Sequence, residues 1–142
     1  MGRQAHSKHA RLPIKTKRWN DERSADDGFR LLVCRYRPRG LPKDDETWDA
    51  WWKELGPSTE LHAAAYGKGQ EALQWQEYSR RYLEEMSGAG ERQKIAWLAR
   101  SLARGETLTL LCSSHCTDET RCHRTLLRTL IERAAAGEGS TS

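Results

Sequence analysis

The sequence predicts a small α/β domain, a few-stranded and mainly parallel sheet with helices packed around it. Two apolar runs carry this reading: Phe29 to Cys34 (FRLLVC) and Thr107 to Cys112 (TLTLLC) have the composition of buried strands. Four segments of helical character separate them and a fifth follows, giving the order strand, strand, four helices, strand, helix. Strands joined by a long helical crossover are parallel neighbours.

Taken in order, Ile14 to Trp19 (IKTKRW) alternates apolar and basic residues and reads as a first short strand. Asn20 to Gly28 is an acidic turn. After the Phe29 strand, Pro38 and Gly40 impose a loop, since proline lacks a ladder donor and glycine accepts unusual backbone angles. Asp44 to Leu55 reads as a helix, because Trp48, Trp51, Trp52 and Leu55 fall at i, i+3, i+4 and i+7 and Gly56-Pro57 stops it. Ser58 caps a short helix through Tyr66. A longer helix spans about Gln70 to Met86, with Trp75, Tyr78 and Tyr82 on its core face and Arg80 and Arg81 exposed. A fourth covers about Glu91 to Arg104 on the stripe Ile95, Leu98 and Leu102. The last carries Leu126, Leu127, Leu130 and Ile131 on one face and frays into a Gly-Ser-rich tail. The domain is thus expected over 14–135, between a disordered basic arm (1–13) and a flexible tail (136–142).

The charge is unevenly placed. The chain has 24 basic and 20 acidic residues, and six of the basic ones lie in residues 1–19, which hold no acid. Residues 20–142 keep 18 basic against 20 acidic, so the globular part is not a basic domain. Nucleic-acid association would rest on the arm alone. No apolar run is long enough to span a membrane. Four cysteines without a secretory leader suit free thiols or metal in a reducing, cytoplasmic setting.

The segment 107–131 is where chemistry concentrates. Cys112, Cys116 and Cys122 lie within eleven residues, with His115, His123 and Arg124, between the end of a strand and the start of a helix. Ligands bind at such junctions because backbone N–H groups and the helix dipole point outward. Cys34 also ends a strand, and adjacent parallel strands would bring it to the same edge as Cys112. One reading is metal: Cys112, Cys116 and Cys122 with Cys34 or a histidine as fourth ligand, holding zinc or an iron–sulfur cluster. Cys122 and His123 are about 100° apart on a helix, which disfavours joint binding of one ion. A second reading is a metal-free thiol or anion site. Here Cys122 is the thiolate at a helix N-terminus, Cys112 resolves it, and His123 orients or shuttles a proton. Arg35, Arg39 and Arg124 then clamp a small anion such as a phosphate. The plain alternative makes Cys34 and Cys112 small core residues, with His123 packing and Arg124 a solvated helix charge. His62 shows no partner signal, Tyr82 reads as a buried tyrosine, and oligomeric state is open.

Several segments together resemble the bacterial family designated domain of unknown function 488. They are Asp27-Gly28 before FRLLV, Arg35, Pro38-Arg39-Gly40-Leu41, Trp51, Pro57-Ser58-Thr59-Glu60-Leu61, Arg81-Tyr82-Leu83, and TLTLLC with Cys122-His123-Arg124. The resemblance covers roughly 14–132 and implies a compact α/β domain without a settled activity. Relatives often carry aspartate at the place of Cys34 and tryptophan at that of Arg37, so the contribution of Cys34 belongs to a subgroup.

Overall fold

Every residue of one strand, Leu108–Cys112 (β4), is buried, as a strand flanked by parallel neighbours in a covered sheet must be. Its neighbours are Ile14–Arg18 (β1) and Phe29–Leu32 (β2), and Ala50–Trp51 (β3) pairs with the outer side of β2. All three pairings are parallel, in the order β1-β4-β2-β3. The computed structural model describes residues 13–68 and 71–140. The basic arm, apart from Pro13, therefore lies outside the described residues, together with the nucleic-acid reading that rests on it.

Four helices complete the chain: Thr59–Ala65 (α1), Trp75–Glu85 (α2), Ala89–Ala103 (α3) and His123–Ser140 (α4). Alternation along the strands sorts the core into two clusters. Leu31, Val33, Leu108 and Leu110 join Leu61, Tyr82, Leu98, Leu102, Leu127 and Ile131 from the helices. Leu32 and Leu111 instead meet Cys34, Cys112 and Cys122, with Trp19, Trp48 and Trp51 packed against them. The thiols thus sit in the smaller cluster, at the strand ends. Among the described residues, no helix is long and apolar enough to cross a membrane.

Three expected elements differ. The helix over 44–55 does not form; short 3-10 turns at Lys43–Asp45 and Lys53–Leu55 flank β3 instead. The edge of β2 captures this backbone, since Asp49 N–H donates to Arg30 O (2.7 Å) and Trp52 N–H to Leu32 O (3.0 Å). Its tryptophans then alternate rather than stripe. Trp51 faces the thiols, while Trp52 packs on Phe29 and Trp97, with ring centroids 6.4 and 5.5 Å apart. The helix expected from Gln70 begins at Trp75, because Leu73 N–H is held by Ala64 O (3.2 Å) at the end of α1. The last helix extends to Ser140, past the expected start of the tail at 136.

Tyr82 is fully buried, and its hydroxyl donates to Leu55 O at 2.7 Å. Burial raises its pKa well above the ordinary value, so the donor stays protonated throughout the neutral range. Tyr82→Phe leaves that carbonyl without its partner and is expected to lower unfolding free energy by about 1–2 kcal/mol. Urea denaturation with an unchanged m-value checks this; unaltered stability would contradict it.

Candidate metal centre

β4 delivers Cys112 as its last residue, and the chain then turns through Cys116, whose N–H donates to Ser113 O at 3.0 Å. A 3-10 turn at Glu119–Arg121 returns it to Cys122, immediately ahead of α4. The Asp118 carboxylate caps that turn by accepting from Thr120 N–H. Cys112 Sγ lies 3.2 Å from Cys116 Sγ and 3.5 Å from Cys122 Sγ, and the three sulfurs are all within 4.8 Å of one another. Cys34 Sγ is 3.9 Å from Cys112 Sγ, so the two strand ends meet, although the pairing of Leu32 with Leu111 sets Cys34 one residue beyond the level of Cys112. It falls outside the mutually close set of three. All four cysteines are free thiols, and Cys116 is the least buried.

These sulfurs share protons unequally. The Cys116 thiol is pulled far below its ordinary range, first by hydrogen bonds from Cys112 and Cys122 and further by His123 and Arg124. Cys122 is pushed up by its hydrogen bonds to Cys112 and Cys116 and by burial. Cys112 is raised as well, chiefly through Cys116. Within the set, proton affinity is thus lowest at Cys116 and raised at its two neighbours. At Cys122, next to the start of α4, the sulfur neighbours and burial act against the thiolate form.

His123 is buried, and its Nε2 lies 2.7 Å from Val33 O. A carbonyl can only accept, so Nε2 carries the proton. Burial lowers the imidazole pKa, and the neutral ring packs on Tyr82 at 5.5 Å, tying α4 to the end of β2. Arg124 is not a solvated helix charge; its side chain is 3 % exposed. Nη2 donates to Cys116 O at 3.3 Å, while Nε and Nη1 are buried without a partner. Arg35 Nε is engaged with Pro57 O at 2.8 Å. Arg39 is exposed and forms no side-chain hydrogen bond or ion pair among the described residues. Of the three arginines expected to clamp an anion, Arg124 alone bonds to the thiol-bearing loop. His115 is exposed, with Nδ1 3.3 Å from Ser113 Oγ.

Sequence reasoning missed three features of this site. Arg18 reaches the loop through Nη1 to Ser114 O (3.4 Å) while paired with Asp21 (3.0 Å). His62 sits between Tyr36, which it meets edge-on at 5.0 Å, and Tyr66, tilted at 4.7 Å, and both tyrosines are more than half exposed. Burial lowers the His62 pKa, and the negative charge of Cys116 opposes this, which places the aromatic trio within electrostatic reach of the thiols. Trp51 donates its indole N–H to Cys34 O at 2.8 Å and helps wall the centre. A His62–Tyr66 spacing of i, i+4 was the one available signal for the trio.

The fold and site define an α/β domain with a three-thiol cluster, able to accept a metal ion, at the carboxyl ends of its parallel strands. Residues 14–135 match the family model DUF488-N3a, described as the active DUF488-N3 subclade, and the chain belongs to that family. It is similar to the uncharacterized protein YeaO of Escherichia coli K12, with 39% identity over 108 residues, 76% of this chain and 89% of that protein. It is also similar to the uncharacterized protein Rv3073c of Mycobacterium tuberculosis H37Rv, with 27% identity over 118 residues, 83% of this chain and 92% of the relative. No solved structure matches the chain.

Proposed function

We propose that the domain holds a single soft metal ion through Cys112, Cys116 and Cys122. The observation that carries this is the mutual approach of the three sulfurs within 4.8 Å. Zinc–thiolate bonds of about 2.3 Å at the tetrahedral angle set sulfurs about 3.8 Å apart. The 3.2 and 3.5 Å separations around Cys112 need only a small expansion to reach this. A [4Fe–4S] cluster places each cysteine on a different iron and needs wider spacing, so one ion is a better fit than that cluster. Thiolate softness favours zinc or a similar ion over magnesium and calcium. Three protein ligands leave a position for an external ligand, the arrangement of catalytic zinc sites, and a small anion is the chemistry that position takes. A role in catalysis accords with the description of the subclade as active. Free thiols suit a reducing compartment, so a cytoplasmic location belongs to the same proposal.

Elemental analysis of protein purified without chelator is expected to find one thiophilic ion per chain, with added Cd(II) restoring one equivalent to stripped protein. Less than about 0.2 equivalents in both measurements would overturn the reading.

A metal-free thiol reading has one specific observation behind it. Cys116 is the least buried of the three thiols, stands 3.2 Å from Cys112 and is the thiol whose pKa is drawn down. In that reading Cys116 attacks and Cys112 resolves. Iodoacetamide alkylation of stripped protein would then reach its plateau rate well below the ordinary thiol range, at Cys116 first. An ordinary titration of that thiol rules the reading out.

A further inference from the structure

Arg124 is difficult to explain in a neutral site. Its guanidinium is 3 % exposed, yet two of its three nitrogens, Nε and Nη1, have no hydrogen-bond partner. The carboxylates within electrostatic range do not settle the charge. Glu119 stands 3.9 Å away and is half exposed, and Asp21 is already paired with Arg18 at 3.0 Å. A buried cation left in this way is expensive unless negative charge develops beside it. Its Nη2 is fastened to the carbonyl of Cys116, so the head group is held against the thiol loop.

Resting on the single-ion reading above, we infer that Arg124 is the built-in counter-charge of an anionic three-thiolate centre and tunes which ions that centre prefers. Binding of a divalent ion forms three metal–sulfur bonds and releases whatever protons the thiols still carry, and the product carries one net negative charge. The guanidinium neutralises that charge. Arsenous acid provides the uncharged comparison. Its three As–O bonds break and three As–S bonds form, three protons from the thiols and solvent leave in three water molecules, nothing is oxidised or reduced, and the product is neutral. Arg124 therefore supports the first product and is indifferent to the second. It acts through the sulfurs, as a positioning residue, and touches no ion itself.

The test compares Cd(II) and As(III) binding to the full chain as wild type, Arg124→Gln and Arg124→Lys. Cd(II) is followed by its thiolate charge-transfer absorbance and As(III) by competition with a fluorescent arsenical. Arg124→Gln is expected to weaken Cd(II) by about tenfold or more, in the range typical of partners just outside a metal's ligand shell. As(III) affinity should stay unchanged, and Arg124→Lys, which restores the charge, should recover most of the Cd(II) loss. Retained As(III) binding also certifies that the variant keeps its three thiols in place. Equal losses for both ions would make Arg124 a scaffold residue and overturn the inference, as would no loss for either. Failure of the wild type to bind Cd(II) or As(III) at all would instead remove the metal reading on which the inference rests.

Discussion

Cys112→Ser is expected to abolish stoichiometric metal binding, whereas Cys34→Ser leaves one ion per chain. Cys112 is the hub of the cluster, within 4 Å of each of the other three sulfurs. Serine keeps the shape but replaces a soft thiolate with a hard, weakly acidic hydroxyl that a soft ion does not take up at neutral pH. Structural zinc sites bind with about 10–16 kcal/mol, so one sulfur of three is worth about 3–5 kcal/mol, on the order of a thousandfold in affinity. Cys34 stands outside the set that can reach one ion, and its loss removes only a buried neighbour of Cys112. Cadmium titration reads both results, and the thiolate-to-cadmium band of Cys34→Ser should keep its full intensity. Intensity reduced by a quarter would make Cys34 the fourth ligand. Because binding displaces thiol protons, affinity for the divalent ion should fall as pH falls.

The meeting of Cys34 with Cys112 was legible in the sequence for a simple geometric reason. Two apolar runs separated by helices must be parallel, and flush parallel strands that both end in cysteine share one edge. The pairing of Leu31 with Leu110 and Leu32 with Leu111 brings them within one residue of flush, which the side chains bridge. The region of 44–55 misled because three tryptophans fit a helical stripe as readily as the alternation they adopt. What decided between them was the open edge of β2, which is tertiary and carries no local mark. Arg124 was illegible in a different sense. An arginine in the first turn of a helix reads as solvated, and only the wrap of residues 113–121 over the helix start buries it. The exclusion of Cys34 from the closest sulfur set depends on ångström differences at a strand end that spacing cannot encode. His62 acquires its neighbours only when α1 is brought beside the loop after β2.

Asp27→Asn should be the most destabilising substitution on the other side of the molecule, away from the thiols. Asp27 is 2 % exposed and accepts from Lys15 Nζ at 2.9 Å, Lys17 Nζ at 3.0 Å, Ser24 N–H at 3.1 Å and Arg30 Nη1. Arg30 is fully buried beneath it, with Nε on Thr47 O at 2.6 Å and Nη2 unpartnered. Asp27 is also tied to β4 through its own carbonyl, which accepts from Thr109 Oγ1 at 2.7 Å. Asparagine preserves volume and backbone but withdraws the charge that holds three cations, leaving the Arg30 guanidinium buried without a counter-ion. Breaking a buried pair in this way costs about 3–5 kcal/mol, a large share of the about 5–15 kcal/mol that holds such a domain folded. Lys15→Met removes a solvent-screened partner and should destabilise far less than Asp27→Asn. Burial acts to raise the Asp27 pKa, but hydrogen bonds from Lys17 and Lys15 outweigh it and hold the carboxyl well below its ordinary value. A depressed folded-state pKa stabilises fully above the unfolded carboxylate value and is lost as pH falls through the folded one. The gap between wild type and Asp27→Asn should therefore be constant at neutral pH and narrow only in strong acid, where the wild-type carboxyl finally takes a proton. Urea unfolding across that range reads it directly. A gap under about 1 kcal/mol at neutral pH would mean that the lysines and arginine relax into solvent and that the carboxylate is not the pin of this end of the sheet.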